Sequence, residues 1–239
     1  MDHSGVGDPE VNIESMRHPY KAPSEAFTED QLVAREPIAQ FRDWFDQASR
    51  TPGILEPNAM CLSTASADGA PSGRFVLLKG FGRDGFRFFT NYGSRKAADL
   101  DANPRAALTF YWEALNRSVR VEGAVRRLPA DVSDAYFHSR PLASQIGAAL
   151  FRQSATIADR GQLERREAEL RQLHPEQGPP VPRPDWGGYI VEPRQVEFWQ
   201  GQSTRIHDRI RFRRPVDGDD DDPRVRRGDD GWVLERLAP

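Results

Sequence analysis

The residues of this sequence that could hold a phosphate group lie in short segments where cations and hydroxyl groups come together. The clearest is residues 90–96, TNYGSRK, where Thr90, Ser94, Arg95 and Lys96 fall within seven positions. Ser94 is a good N-cap, and a helix N-terminus beside cations and hydroxyls is a typical site for a dianion. Only three of the 33 basic residues are lysines, and an ammonium group does not replace a guanidinium at a phosphate site. The segment therefore predicts a phosphate site that includes Lys96.

Two other segments could contribute to a site of the same kind. GRFVLLKGF contains Arg74 and Lys79, which point to opposite faces of an extended strand. YFHSRPLAS places Tyr136 and Arg140 one helical turn apart and Ser144 at the start of a following helix. Taken singly, solvated strand-end cations and a surface cation–π pair are the simpler explanations of these two patterns. Together with the first segment they indicate a second phosphate.

A fourth segment, FWQGQSTRIHDRIRF, combines Trp199 with Arg205, His207 and Arg209. The last three side chains would share one face if the segment is an extended strand. A lone histidine is most often structural, but one flanked by two arginines experiences repulsion that a binding site would explain. We expect a phosphorylated cofactor beside a phosphorylated substrate. The motifs of serine hydrolases, zinc proteases and nucleotide-binding P-loops are absent from the sequence, so no metal is expected.

Strands must position most of these segments. Between residues 58 and 125 short apolar runs alternate with turns such as Asp-Gly, which predicts an antiparallel meander, and further strands follow residue 185. Helices are predicted from Pro37 to a stop at Thr51-Pro52-Gly53, after Ser94, and within residues 130–174. The fold class is therefore α+β, mainly β. Five successive strands favour a small closed barrel, because closure removes the exposed edges of a sheet.

Composition gives the broad class of the protein. With 38% hydrophobic and 29% charged residues the chain is expected to be soluble and globular, not collagen-like, disordered or disulfide-stapled. Residues 1–30 are predicted to form a flexible arm and residues 31–239 a single domain. Residues 217–230 are predicted to be an acidic loop insertion, which is more simply explained as a solvated surface than as a calcium site. We expect the protein to be cytoplasmic and neither membrane-bound nor secreted. The sequence has a single cysteine, Cys61, and shows no signal peptide and no long apolar run. The net charge of −3 disfavours nucleic acid as a partner.

Residues 37–239 resemble the pyridoxine (pyridoxamine) 5′-phosphate oxidases. The four segments with candidate site residues, together with QSATI, WGGY and the terminal ERLAP, are similar to the signature blocks of that family and occur in the same order. The resemblance implies a homodimeric FMN-binding split β-barrel with flanking helices and with FMN at the subunit interface. It implies FMN contacts from twelve residues: Arg74, Phe75, Val76, Leu77, Phe89, Thr90, Arg95, Lys96, Gln153, Ser154, Trp199 and Arg209. It assigns the substrate phosphate and ring to a second set of residues: Lys79, Tyr136, Arg140, Ser144, Arg205, His207, Arg17 and Tyr20. Within this set, Arg205 and His207 are the catalytic pair, and Arg17 and Tyr20 form a lid.

The activity implied by the resemblance is the oxidation of pyridoxine or pyridoxamine 5′-phosphate at C4′ to pyridoxal 5′-phosphate, the last step in making the vitamin B6 cofactor. A hydride would pass to the flavin and on to dioxygen, giving hydrogen peroxide, with ammonia released from the amine; Arg209 would stabilise the reduced ring. One departure is Ser118, where the family usually has glutamine, which puts the affinity for FMN in question. Two alternatives stay open: an NAD(P)H-dependent split-barrel flavin reductase, and a non-catalytic carrier of pyridoxal 5′-phosphate.

Overall fold

An antiparallel sheet flanked by helices forms the centre of the molecule. The computed structural model describes residues 11–16 and 18–239. The described part of the chain contains ten strands: β1 Ala59–Ala65, β2 Pro71–Leu77, β3 Gly80–Gly82, β4 Gly85–Asn91, β5 Arg105–Trp112, β6 Arg117–Arg127, β7 Trp186–Gln200, β8 Asp208–Arg213, β9 Arg226–Arg227 and β10 Val233–Arg236. The same part contains five α-helices: α1 Pro37–Arg50, α2 Arg95–Ala102, α3 Ala130–Ser139, α4 Leu142–Ala149 and α5 Arg160–Leu173. The mainly β, α+β class predicted from the sequence is confirmed.

Strand β7 links the two parts of the sheet. The strand order is β2-β1-β5-β6-β7-β8-β10-β9, and β4 pairs with β3 and with β7. Along one side of β7, β4 pairs with residues 186–191 and β8 with residues 195–200, while β6 follows the other side over most of its length. Because β7 has 15 residues it accepts two partners in succession along this side.

The strand pairings do not close into a barrel, and this corrects the expectation of a small closed barrel. Strand β2 has β1 as its sole partner among the described strands and leaves an open edge. The physical reason is the shared strand β7, since β4 and β8 spread along it and do not return to β2. A register shift between Glu122 and Gly123 bends β6 against β7. Gly123 is required there, because a Cβ atom would lie 1.9 Å from the carbonyl oxygen of Glu192.

Helix α1 covers the apolar face of the sheet. Its Glu36 N-cap accepts hydrogen bonds from the backbone N–H groups of Ile38 and Ala39, and Pro37 occupies the first turn. Phe41 and Trp44 are fully buried, and Phe41 packs against phenylalanines of β3, β4 and β5. The helix ends at Arg50, before the Thr-Pro-Gly stop that predicted this boundary.

A second, smaller core joins α3, α4 and α5 to the start of β7. It consists of buried side chains from these elements and from the loop before β7: Phe137, Ile146, Leu170, Val181 and Trp186. This core fixes α3 and α4 opposite the end of β4 and the start of α2. The site described below lies between these elements.

The segment before α1 lies along the sheet from residue 20 onward. Backbone atoms of Lys21 pair with Gln202 and Ser203, and the Gln200 side chain donates to the carbonyl of Glu25. Within residues 217–230, Asp219 accepts two hydrogen bonds from Arg213, and β9 pairs with β10. Over the described ranges no helix is long and apolar enough to cross a membrane, and no cluster of metal-ligating side chains is present.

Candidate functional site

A cleft of about 950 Å³ opens between β2, the β4–α2 junction, helices α3 and α4, and the loop after α4. Fourteen of the residues predicted from the sequence line it: Arg74, Phe75, Val76, Leu77, Lys79, Phe89, Thr90, Arg95, Lys96, Tyr136, Arg140, Ser144, Gln153 and Ser154. The structure thus brings together both predicted phosphate segments and strand β2.

The β4–α2 junction forms the cationic end of this cleft. Ser94 caps α2 by accepting from the N–H of Ala97, as predicted. Lys96 is 8% exposed, and its ammonium donates to Thr90 Oγ1 at 3.1 Å and to Gln153 Oε1 at 2.9 Å. Burial, and secondarily the charge of Arg74, lower the pKa of Lys96 to about 8. None of the residues described offers Lys96 a carboxylate at salt-bridge distance, so the junction holds a buried cation without an anion.

Strand β2 presents two different faces, as the alternation predicts. Arg74 and Val76 are half-buried, whereas Phe75 between them is 80% exposed on the open edge strand. Lys79 lies just beyond the strand, where its backbone N–H donates to the carbonyl of Arg87. The edge strand therefore offers the cleft a cation and an uncovered aromatic ring.

The other end of the cleft is an aromatic wall. The rings of Phe89, Tyr136 and Trp186 pack side by side, with centroids 4.1 Å apart for Phe89 and Tyr136 and 5.3 Å for Phe89 and Trp186. The guanidinium of Arg140 lies 4.8 Å from the Trp186 ring centre, and burial lowers its pKa. Its buried NH1 has no hydrogen-bond partner in the described part of the chain. Arg140 is thus, after Lys96, the second cation of the cleft that is withdrawn from solvent and has no carboxylate partner among the described residues.

Two helical details differ from the prediction. Arg140 follows the last residue of α3 as its C-cap and is not within the helix. Helix α4 begins at Leu142, so Ser144 is its third residue and not its start. Pro141 explains both differences, because proline disfavours continuation of α3 and is tolerated where the next helix begins, having no backbone N–H to satisfy.

Trp199 and Arg209 line a separate cavity of about 410 Å³, together with Ser118. Arg209 donates from Nε to Glu197 Oε1 at 2.7 Å and from NH1 to the carbonyl of Ala238 at 2.8 Å. Glu197 is buried and also accepts from a second arginine of this sheet face. These two predicted flavin contacts therefore do not meet the other ten within one chain.

Arg205, His207 and Tyr20 form a third group beside Trp199. The expectation that Arg205 and His207 share a strand face with Arg209 is wrong, because β8 begins at Asp208 and Arg205 lies in a turn with φ of +69°. His207 Nδ1 accepts the N–H of Gln202, and burial, followed by the charge of Arg205, lowers the pKa of His207.

The N-terminal segment brings Tyr20 into this third group. The centre of the Tyr20 ring is 5.9 Å from that of His207 and 6.0 Å from that of Trp199, and the guanidinium of Arg205 lies over the Tyr20 ring. Arg17, the other member of the predicted lid, lies outside the described residues, so the lid pair stays a prediction.

Comparison with known proteins decides the family. A family profile described as pyridoxamine 5′-phosphate oxidase matches residues 46–174, and one described as the pyridoxine 5′-phosphate oxidase C-terminal dimerisation region matches residues 186–239. The chain belongs to the pyridoxamine 5′-phosphate oxidase family. It is 54% identical to pyridoxine/pyridoxamine 5′-phosphate oxidase of Bombyx mori, over 96% of this chain and 90% of that protein. It is 53% identical to pyridoxine-5′-phosphate oxidase of Bos taurus, over 96% of this chain and 88% of that protein.

Solved structures of this oxidase family and its relatives share the fold. PhzG of Burkholderia lata 383, solved with tetrahydrophenazine-1-carboxylic acid, aligns with a TM-score of 0.76 and 28% identity over 89% of this chain and 97% of its own. An FMN-binding protein of Nostoc punctiforme PCC 73102, related to pyridoxamine 5′-phosphate oxidases, aligns with a TM-score of 0.61 and 19% identity over 83% of this chain and 97% of its own. The second likeness shows the fold alone. The split-barrel type predicted for the chain is confirmed.

The divided site follows the two regions of the oxidase family. The fourteen cleft residues lie within the first profile, and Trp199, Arg205, His207 and Arg209 all lie within the dimerisation region. That region suggests a homodimer. Membership of the oxidase family suggests a flavin, and a flavin phosphate fits the residues present, because Lys96 is a buried cation without an anionic partner.

The structure adds residues that the sequence did not single out. Trp186 lines the cleft and carries Arg140 on its ring, and Glu197 holds Arg209. The WGGY block contains Trp186, but its pattern indicates a strand and not a contact with α3. Such contacts join distant parts of the chain, so no local spacing marks them.

Proposed function

We propose that this chain is an FMN-dependent oxidase that converts pyridoxine 5′-phosphate and pyridoxamine 5′-phosphate into pyridoxal 5′-phosphate, with dioxygen reduced to hydrogen peroxide. The observation that carries the proposal is a single cleft in which two separate cations, Lys96 and Arg140, are withdrawn from solvent and have no carboxylate partner among the described residues. Two phosphate-bearing molecules bound side by side would satisfy both. Relatives at 46–54% identity bear the names of this oxidase, and this supports the same substrates.

Each half of the cleft has a distinct task in this proposal. Arg74, Arg95 and Lys96, with Thr90, hold the cofactor phosphate, and Gln153 and Ser154 close over it from the loop after α4. Lys79, Tyr136, Arg140 and Ser144 hold the substrate phosphate. FMN, when bound, supplies the hydride acceptor and the route of electrons to dioxygen. Most of the rate enhancement from the protein then comes from fixing two anions, and hence two rings, relative to each other.

A second copy of the chain completes the site in this proposal. Trp199, Arg205, His207 and Arg209 lie outside the cleft, in the region matched by the dimerisation profile. The open edge of β2, with Phe75 80% exposed, gives the cleft a surface for a partner to cover. A homodimer that brings the dimerisation region of one subunit over the cleft of the other places FMN at the interface.

His207 is suited to orient the substrate as a hydrogen-bond donor. Because Nδ1 accepts from the N–H of Gln202, the neutral ring carries its proton on Nε2. The lowered pKa of His207 keeps the ring neutral at pH 7. With Arg205 beside it, His207 holds a polar group of the pyridine ring and a proton at Nε2, without acting as a nucleophile.

The test is anaerobic addition of pyridoxine 5′-phosphate to the FMN-loaded protein. We expect loss of the visible flavin band, and its return with peroxide on admission of air. Flavin that stays oxidised with both phosphorylated vitamers would overturn the proposal. In that case, reduction of the flavin by NAD(P)H would indicate a reductase, and binding of the vitamers without peroxide release would indicate a carrier.

A variant pair tests the phosphate assignment. Arg140→Leu should raise KM for pyridoxine 5′-phosphate at least about tenfold, because a charged hydrogen bond to phosphate is lost. The control is Arg171→Leu on α5, which removes an exposed arginine paired with Glu167 and should leave KM unchanged. Equal KM values for the two variants would contradict the role of Arg140.

A further inference from the structure

A buried carboxylate lies behind the cationic end of the cleft. Asp99 of α2 is 6% exposed and Thr64 of β1 is 4% exposed, and neither lines the cleft. The Thr64 hydroxyl donates to Asp99 Oδ2 at 2.6 Å. The same hydroxyl accepts from Arg74 NH1 at 2.7 Å, and Arg74 NH2 lies 3.7 Å from Asp99 Oδ2. Asp99, Thr64 and Arg74 therefore form a chain of polar contacts that leads from the interior to the cleft.

We propose that Thr64 and Asp99 are positioning residues that fix the guanidinium of Arg74 for the cofactor phosphate. The inference rests on the proposed function, because it takes the ligand of Arg74 to be a flavin phosphate. An ionised carboxylate only accepts hydrogen bonds, so Asp99 obliges the Thr64 hydroxyl to donate to it. The lone pairs of that hydroxyl then face Arg74.

The remaining contacts of Arg74 also restrain its guanidinium. NH1 also donates to the carbonyls of Leu62 and Ser72, and NH2 donates to Ser72 Oγ. Nε has no hydrogen bond within residues 18–239 or 11–16 and stays available for a ligand. Because an unrestrained arginine loses much rotamer freedom when it binds, a guanidinium fixed beforehand binds an anion more tightly.

A purely electrostatic role for Asp99 predicts the opposite effect. A carboxylate beside Arg74 lowers the positive potential of the cleft, so its neutralisation should strengthen the binding of an anion. A positioning role predicts weaker binding when Asp99 or Thr64 is changed. The sign of the change in affinity therefore separates the two roles.

The experiment compares FMN with riboflavin, which lacks the phosphate, by fluorescence titration of the full-length apoprotein. We expect Thr64→Val and Asp99→Asn to raise the Kd of FMN about tenfold and to leave the Kd of riboflavin unchanged. Thr64→Ser keeps the hydroxyl and should restore the wild-type ratio of the two Kd values. A general loss of structure would weaken both ligands and would not change the ratio.

Asp101→Asn is the matched control. Asp101 lies on the same helix and pairs with Arg127 at the surface, away from the cleft, so its change should not alter the ratio. An unchanged ratio in Thr64→Val, or tighter FMN binding in Asp99→Asn, would overturn the inference. Failure of the wild-type protein to prefer FMN over riboflavin would instead count against the proposed function.

Discussion

Replacement of Lys96 by methionine should stabilise the protein without its cofactor while it weakens the binding of FMN. Lys96 is a buried ammonium with neutral hydrogen-bond partners and Arg74 nearby, so the ligand-free fold carries an uncompensated charge. Methionine has a similar length and needs no anion. Thr90 Oγ1 and Gln153 Oε1 keep their mutual hydrogen bond of 3.1 Å after the change.

The pKa of Lys96 sets the size of this effect. The change from the usual 10.5 to about 8 corresponds to about 3 kcal/mol of destabilisation when the group is protonated, at about 1.4 kcal/mol for each tenfold change in proton affinity. The methionine variant loses hydrogen bonds worth about 1 kcal/mol each, so we expect a net gain of about 1–2 kcal/mol at pH 7.

The pH dependence of this difference follows from linkage. Below about pH 8 Lys96 is protonated in both the folded and the unfolded state, and the full destabilisation is present. Between about 8 and 10.5 the folded protein has released the proton that the unfolded chain still holds. Wild-type stability therefore rises with pH through this window relative to the Lys96→Met variant.

The assay is urea unfolding of both apoproteins at pH 7 and pH 10, at one protomer concentration because a dimer's stability depends on it. The free energy of unfolding should favour the variant at pH 7, and the difference should shrink at pH 10. FMN titration of the same samples should show weaker binding to the variant. A variant that is less stable than wild type at pH 7, or a difference independent of pH, would refute the reasoning.

Substitutions at three further positions test other contacts of the site. In a steady-state assay, Trp186→Leu should raise KM for pyridoxine 5′-phosphate about fivefold with little change in kcat, because Arg140 loses a cation–π contact of about 1 kcal/mol. Trp186→Phe should have a smaller effect in the same assay. Glu197→Gln should raise the Kd of FMN several-fold in fluorescence titrations, since the charged partner of Arg209 Nε is lost; an unchanged Kd would contradict that role. Ser118→Gln should lower the Kd of FMN in the same titration, because the cavity beside Ser118 has room for an amide that can reach a ligand, and a higher Kd would show that the longer side chain does not fit.

Local sequence was sufficient for the parts of the site built by neighbouring residues. The cap at Ser94, the helix start at Arg95 and the position of Lys96 follow from seven consecutive residues, and the structure shows the cap and the helix where they were predicted. The alternation along β2 likewise predicts that neighbouring side chains point to opposite faces, and the structure shows Arg74 half-buried and Phe75 exposed. Such features depend on hydrogen bonds and side-chain directions within one or two turns of chain.

Contacts between distant segments could not be predicted in the same way. Thr64 and Asp99 are 35 positions apart, and the pairing of β1 with β5 beside α2 is what joins them. The strand expected at Arg205 is a turn because Ser203 pairs with the backbone of Lys21 and Arg205 takes a positive φ. Propensity alone does not show a backbone partner that is about 180 positions away in the sequence.

The division of the site has a consequence for how this fold controls its chemistry. Arg74, Lys96 and Arg140 form one cationic cleft within a single chain, whereas Arg209 is already paired with Glu197 in a different cavity. A single subunit can therefore attract phosphates, but Arg205 and His207, the groups proposed to orient the substrate ring, do not line its own cleft. If a second subunit supplies them, flavin affinity and turnover should depend differently on protomer concentration, because the phosphates need one chain and the chemistry needs two. Dilution below the dimer dissociation constant should then abolish turnover before it abolishes the preference for FMN over riboflavin.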